Sequence, residues 1–277
     1  MNYKKTLIDI RKDVKTYLKK YPNIKSLVMG VSGGMDSALN CFILRPVCDE
    51  LEIKLYGRYI HIETNKEDER IRAINIGNSF CHEFDSIDLT KLYHQSLPFF
   101  DEGESHTDSM KTKISRGNIK ARLRMIHLYN LAYEKSGIVV DNDNKTEHNL
   151  GFWTLHGDVG DMTPLFDLWK SDVYDLAKYI VKNIEMTADE RKALSDCIDA
   201  VPTDGLGITS SDLEQFGAES YYQVDDILRH YKKIFFYPFG LKKMIKKHGE
   251  DVVRKILNRH LNSNYKRNNP YKIILNK

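Results

Sequence analysis

From Tyr3 to Tyr21 the apolar side chains Leu7, Ile10, Val14, Tyr17 and Leu18 recur at the spacing of a helix with one buried face. Pro22 cannot continue such a ladder, so an N-terminal helix is expected to end there. The next apolar residues, Ser26-Leu27-Val28-Met29-Gly30-Val31, come without alternation, as in a strand buried on both faces. They lead straight into Ser32-Gly33-Gly34-Met35-Asp36-Ser37 and then into a periodic apolar segment from Ala38 to Leu51. The order is strand, glycine-rich turn, helix.

The alternation continues. Lys54 to Ile62 is strand-like, Lys66 to Phe80 helix-like, Glu83 to Ile87 a short strand, Ile119 to Lys135 an amphipathic helix, and Gly137 to Val140 another short strand. Such a pattern predicts an α/β fold with a doubly wound parallel sheet, whose ligands lie at the carboxyl ends of the strands. Pro98 to Ser115 has little periodicity and reads as a loop. Further on, Lys170 to Ile184 reads as a helix capped by Ser171, and Thr187-Ala188-Asp189-Glu190 opens another with a capping box. Val201 to Gln215 reads as a loop, while Ala218 to Lys247 and Gly249 to Leu261 read as helices. No repeat and no linker divides the chain. One domain over 1–277 is expected, with an N-terminal helix at 1–22, a nucleotide-binding core at 23–184 and a helical C-terminal part at 185–277.

Composition narrows the classes of function. The 277 residues include 42 Lys and Arg against 39 Asp and Glu, a net charge of +3, far from the excess of a nucleic-acid binder. The stretch from Lys242 to Lys277 is nevertheless basic, either a solvated face or a surface for phosphates. Cys41, Cys48, Cys81 and Cys197 form no CxxC pair and no zinc spacing, so reduced thiols in a cytoplasmic protein are expected. No apolar run reaches membrane-spanning length, and no membrane or nucleic-acid partner is expected.

The strongest chemical signal is Gly30-Val31-Ser32-Gly33-Gly34-Met35-Asp36-Ser37. Paired glycines let backbone N–H groups converge on an anion at a helix N-terminus, Ser32 and Ser37 add hydroxyls, and Asp36 offers a carboxylate for magnesium. Neither GxxxxGK[ST] nor GxGxxG is present. A tight turn without a ligand is the bland alternative. The block resembles the SGGxDS loop of the ATP pyrophosphatases, which cleave ATP between its α- and β-phosphates. That resemblance implies an adenine nucleotide α-hydrolase-like, Rossmann-type fold. It leaves open argininosuccinate and GMP synthetases, tRNA lysidine synthetase, sulfate-activating reductases and NAD synthetases.

Two further blocks favour the last of these. Gly117-Asn118-Ile119-Lys120-Ala121-Arg122-Leu123-Arg124-Met125 resembles the GNxxARxRM helix opening of the NAD synthetases, with Asn118 as a cap and Arg122 able to present a planar fork to a carboxylate or phosphate. Thr146 to Leu165, with Glu147, Gly151, Thr154, Gly157, Asp158, Asp161 and Pro164, resembles their E…GxxTxxGDxxxDxxPL stretch, and Lys170 follows where they carry a lysine. From the residues alone, Glu147, Asp158 and Asp161 read better as turn-forming acids of a Gly-rich loop. Pro202-Thr203 with Leu206 to Thr209, Tyr222 to Leu228, and Asn264 to Pro270 are similar to later family blocks, in family order.

The resemblance implies that the chain amidates deamido-NAD with ammonia at the expense of ATP through an adenylated intermediate. It implies ATP contacts from Gly30 to Ser37, Asn142, Lys170 and Thr203, magnesium on Asp36 and Glu147, and deamido-NAD contacts from Arg122, Leu155, Asp161, Tyr265 and Lys266. Asp36 and Lys170 are then the catalytic pair, and the family's homodimer is expected. Glutamine-using relatives carry a separate amidase domain, whereas the synthetase pattern occupies this whole chain, so free ammonia is the expected donor. The sequence departs from the family at Asn142 (many have Thr), Leu155 (many have Lys) and Tyr265 (usually His), and it is one residue shorter between Asp158 and Asp161. Two rivals stand beside this reading: a tRNA-modifying ligase using the basic tail, and a non-catalytic nucleotide-binding relative.

Overall fold

The computed structural model describes residues 1–100, 109–200, 211–231 and 240–274. Asn2 opens helix α1 (Tyr3–Lys20) by accepting a hydrogen bond from Lys5 N on its side chain, and Leu7, Val14 and Leu18 form the buried stripe. Strand β1 (Ser26–Gly30) is buried almost throughout, then α2 (Met35–Glu50) follows the glycine turn. Next come β2 (Lys54–His61), α3 (Glu67–Phe80), β3 (Glu83–Asp88), α4 (Thr90–Phe100), α5 (Met110–Glu134) and β4 (Gly137–Val139).

All pairings are parallel, in the order β3-β2-β1-β4, with Ser26 opposite Lys54 on one side and Gly137 on the other. The chain thus winds outward from β1 through β2 to β3, then crosses back through α4 and α5 to place β4 on the far side of β1. Helix α5 packs on β1 and β4, with Leu131 and Ala132 against Val28 and Val139. On the opposite face α1, α2 and α3 share one core with α7 (Lys170–Asn183) and α8 (Ala188–Ile198), centred on Leu27, Met29, Leu39, Ile76, Val173 and Leu194. The switch in winding direction falls between β1 and β4, where such folds bind ligands.

A second core joins the C-terminal helices to the short helix α6 (Lys145–Leu150). Its members include Leu150, Val224 and Ile227 of α9 (Tyr221–Arg229), Met244 of α10 (Gly240–His248), and Val253 and Ile256 of α11 (Glu250–Asn262). A last turn, α12 (Asn264–Arg267), follows.

Four local expectations need correction. Asn118 is no cap but lies inside α5, which starts at Met110 with Ser109 as its N-cap, because the interior Gly117 is tolerated where neighbours bury it. The loop expected over Pro98–Ser115 is therefore helical at both described ends, while 101–108 lie outside the described residues. Ser171 sits within α7, whose N-cap is Trp169 and whose first turn is closed by Asp172 accepting from Trp169 N at 3.3 Å. The helix expected over Ala218–Lys247 begins at Tyr221 and α9 ends at Arg229. No described helix is long and apolar enough to cross a membrane.

Two half-buried imidazoles, His148 of α6 and His260 of α11, lie beside the second core. His260 places Nδ1 2.8 Å from Asn149 O with its ring edge-on to Tyr231, and His148 stacks on Trp153 with centroids 5.5 Å apart. Burial lowers both pKa values, and the nearby Arg267 guanidinium adds to the effect. Protonation is therefore easier in the unfolded chain. Stability is full above about pH 6.5 and is lost as pH falls through the lowered folded values. Thermal melts between about pH 7.5 and 5 should show Tm falling with acidification, and His260→Gln should flatten that slope; an unchanged slope would remove these groups from the account.

Candidate active site

Strand β1 delivers Gly30 to the carboxyl edge of the sheet, and Val31 to Gly34 turn the chain into α2. Gly33 has φ +79°, and a Cβ there would lie 2.3 Å from Glu69 O, so both the turn and the packing of α3 require glycine. Arg72 Nε donates to Gly33 O at 3.0 Å from the same helix. Within the turn, Ser37 Oγ donates to Gly34 O at 3.1 Å and accepts from Ser32 N at 3.2 Å, while Ser32 Oγ accepts from Gly34 N at 3.2 Å. Gly34, as N-cap, offers no side chain to the first-turn amides of α2. The helix end is open to an anion.

Facing this end is a buried ion cluster. Lys170, the first residue of α7, pairs its Nζ with Asp36 Oδ2 and with Glu147 Oε1, the latter at 3.2 Å. Asn144, wholly buried, donates Nδ2 to Asp36 Oδ1 and to Glu147 Oε2, both at 2.8 Å, while its Oδ1 accepts from Thr146 N and Glu147 N. An amide is the side chain suited to this, since it donates and accepts at once. Beneath, Asp225 of α9 accepts from Thr146 Oγ1 and, at 2.8 Å, from Ser171 N, so α6 and α7 are fixed to each other beside the cluster.

Burial works against the Lys170 ammonium, but Asp36 and Glu147 together hold its pKa well above the ordinary lysine value. Burial, with the Asp36 charge added, pushes Glu147 up to about 8 despite Lys170 beside it. Burial also raises Asp158 to about 6 and lifts Asp143 well above the carboxylate range. A pocket that strains several carboxylates in this way favours an incoming cation. Asp36 and Glu147, hard-oxygen donors brought together from α2 and α6, would suit a magnesium ion. Among the described residues no group of three or more His, Cys, Asp and Glu could hold a metal unaided.

The glycine turn and the ion cluster share a cleft of about 990 Å³, at the upper end of the size expected of ligand sites. At its other end the 151–158 loop is held by Lys266, whose Nζ donates to Gly151 O at 2.8 Å and to Trp153 O.

The NAD synthase family pattern matches residues 6–270. The chain belongs to the NAD synthase family. It is 32% identical over 234 residues to the NH(3)-dependent NAD(+) synthetase of Finegoldia magna, covering 82% of this chain and 85% of that protein. To the NH(3)-dependent NAD(+) synthetase of Thermoplasma acidophilum it is 30% identical over 270 residues, covering 94% and 95%. The fold is shared with an NMN synthetase from Francisella tularensis (TM-score 0.75, 24% identity, 100% of this chain and 99% of that one). It is also shared with an NH3-dependent NAD synthetase from Campylobacter jejuni (TM-score 0.72, 19% identity, 99% and 100%).

The structure groups the expected site residues unevenly. Gly30, Val31, Ser32, Gly34, Met35, Asp36, Ser37, Asn142, Glu147, Lys170, Tyr265 and Lys266 line the cleft, while Gly33 turns toward α3. Asn142 is engaged with the scaffold, donating to Gly30 O at 2.9 Å and accepting from Asn40 at 3.0 Å. Arg122 is exposed, 3.3 Å from Leu155 O, and neither residue lines the cleft. Asp161 accepts from Val139 N at 2.9 Å and from Tyr129 at 3.1 Å, which ties its loop to β4. Thr203 lies outside the described residues. Asn144 and Asp143 were not among the expected residues, although Asn144 with Glu147 three positions on is a readable capping-box signature.

Asp225→Ala would leave Ser171 N and Thr146 Oγ1 without their buried acceptor. A loss of about 1–3 kcal/mol is expected for each orphaned group, read as a lower Tm together with reduced turnover. A Tm equal to that of the unsubstituted chain would show that α9 does not hold this site.

Proposed function

We propose that the chain joins ammonia to the nicotinate carboxylate of deamido-NAD, cleaving ATP to AMP and pyrophosphate through an adenylated intermediate. The observation that carries the reading is the Asp36–Lys170–Glu147 cluster facing the open end of α2, in a chain matched to the NAD synthase family from residue 6 to 270. The NH(3)-dependent activity in the names of the relatives supports ammonia as the nitrogen donor.

A carboxylate is a poor electrophile, so the reaction must first convert it to a mixed anhydride. Its oxygen attacks the α-phosphorus, a P–O bond forms, and the bond to the β-phosphate breaks as pyrophosphate leaves. The nitrogen of ammonia then attacks the carbonyl carbon, the C–O bond to AMP breaks, and a proton is lost from nitrogen. The α2 amides and the Lys170 ammonium would stabilise charge growing on the pyrophosphate. Bound magnesium, held by Asp36 and Glu147, would supply further charge neutralisation. Asn144 keeps those two carboxylates oriented. No side chain needs to act as a covalent nucleophile.

The remaining parts of the reading concern assembly and location. Arg122 shares an exposed face of α5 with Ile126 and Tyr133, which are 59% and 87% exposed. A homodimer packed on that face would cover the apolar pair and carry Arg122 toward a partner's dinucleotide. One synthetase domain spans the chain. A cytoplasmic location accords with its four free, buried cysteines.

With ATP, magnesium, ammonium and deamido-NAD, the chain should yield NAD and AMP in equal amounts; ADP as product would overturn the reading. Nicotinate mononucleotide supplied instead should react more slowly, and faster turnover would reassign the pyridine substrate. Asp36→Asn should lower turnover at least about a hundredfold in a variant that still folds, with a lowered Tm because Lys170 loses a buried partner; wild-type rates would free Asp36 from the chemistry.

A further inference from the structure

Three sulfur atoms meet inside the first core, where β1, α2 and the end of α3 pack together. Cys41 Sγ lies 3.6 Å from Met29 Sδ and 3.8 Å from Cys81 Sγ. The sheet makes room for them. Met29 of β1 stands opposite Gly57 of β2, so the two share one face of the sheet, and a Cβ on Gly57 would lie 2.6 Å from Cys81 Sγ. Cys81 thus fills the space that the glycine leaves beside Met29. None of the three sulfur residues lines the cleft.

Buried cysteines often serve packing alone, as small apolar side chains. What sets Cys41 apart is the pair of soft donors it faces. The Cys81 contact, then burial, holds the Cys41 thiol well above its usual range, so it keeps its proton and is inert as a nucleophile. Only a cation that binds sulfur strongly enough to displace that proton can use it. Soft thiolate and thioether ligands select Cu(I), whereas zinc closes a tetrahedron of four ligands. Metal–sulfur bonds of about 2.3 Å, the zinc–thiolate value, set the three ligands of a planar ion about 4.0 Å apart, close to the two separations at Cys41.

We propose that Met29, Cys41 and Cys81 form a binding site for one Cu(I) ion. One S–H bond breaks, its proton passes to solvent and a Cu–S bond forms, while the other two sulfurs bind as neutral donors. Copper keeps its oxidation state. A monovalent ion exchanged for one proton leaves the site uncharged, as an apolar core requires. Cys81, 7% exposed at the end of α3, is the point of entry.

The test is an anaerobic titration of the full chain, its thiols reduced, with Cu(I) supplied as the acetonitrile complex and bicinchoninate as competing chelator. One ion should bind per chain, X-ray absorption should show sulfur alone around the copper, and Tm should rise. Cys41→Ala and Cys81→Ala should each weaken binding at least about tenfold, since even groups that only orient a ligand are worth about tenfold to a hundredfold, and the rise in Tm should vanish. Cys48→Ala, at another buried cysteine of α2, should bind as the unsubstituted chain does. Met29→Leu retains the core volume and should also weaken binding, which decides the matter should an alanine variant not fold. No uptake by the folded, reduced chain, nitrogen or oxygen neighbours around the copper, or an affinity unchanged in Cys41→Ala, Cys81→Ala or Met29→Leu would each overturn the proposal.

Discussion

The arrangement depends on one buried ammonium. Lys170 lies on α7, Asp36 on α2 and Glu147 on α6, and each would be costly to bury without the others. Their meeting therefore fixes three helices at the carboxyl edge of the sheet, with Asn144 and Asp225 holding the ends of α6 and α7 in place. Stability and chemistry share this requirement. A group of charges that must be paired to stay buried is held in place before any substrate arrives. Burial holds the Glu147 pKa up at about 8 even with Lys170 beside it, and a further cation would find most to stabilise there.

Much of the fold was legible because the strands buried on both faces are continuous apolar runs, and the helices between them carry one apolar stripe. The parallel sheet, the capping box at Thr187 and the end of α1 before Pro22 all follow from such local signals. What misled were places where tertiary contacts outweigh local preference. Gly117 looked like a helix boundary, but the helix continues through it because its neighbours Lys120 and Ala121 are buried. Ser171 looked like a cap, but Asp225 on a distant helix takes its backbone N–H. That bond spans 54 residues and leaves no local trace.

The site was legible where chemistry restricts residue type. Glycine at position 33 is imposed by a positive φ and by the backbone of α3, and the turn around it could be read as an anion site at once. Asn144 was less visible, since its role depends on carboxylates brought from 108 and 3 residues away. The family departures also gain definition. Asn142 uses its amide to brace β1 against α2, and Tyr265 remains exposed beside Lys266 at the rim of the cleft.

The central claim is that Lys170 acts on the pyrophosphate that leaves the α-phosphorus of ATP as the nicotinate carboxylate is adenylated, before nitrogen arrives. Exchange of labelled pyrophosphate into ATP, measured with deamido-NAD and magnesium but no ammonium, tests it directly. The account predicts exchange in the unsubstituted chain, dependent on deamido-NAD, and its loss in a folded Lys170→Met variant. Exchange that requires ammonium, or that persists in Lys170→Met at the original rate, would contradict it.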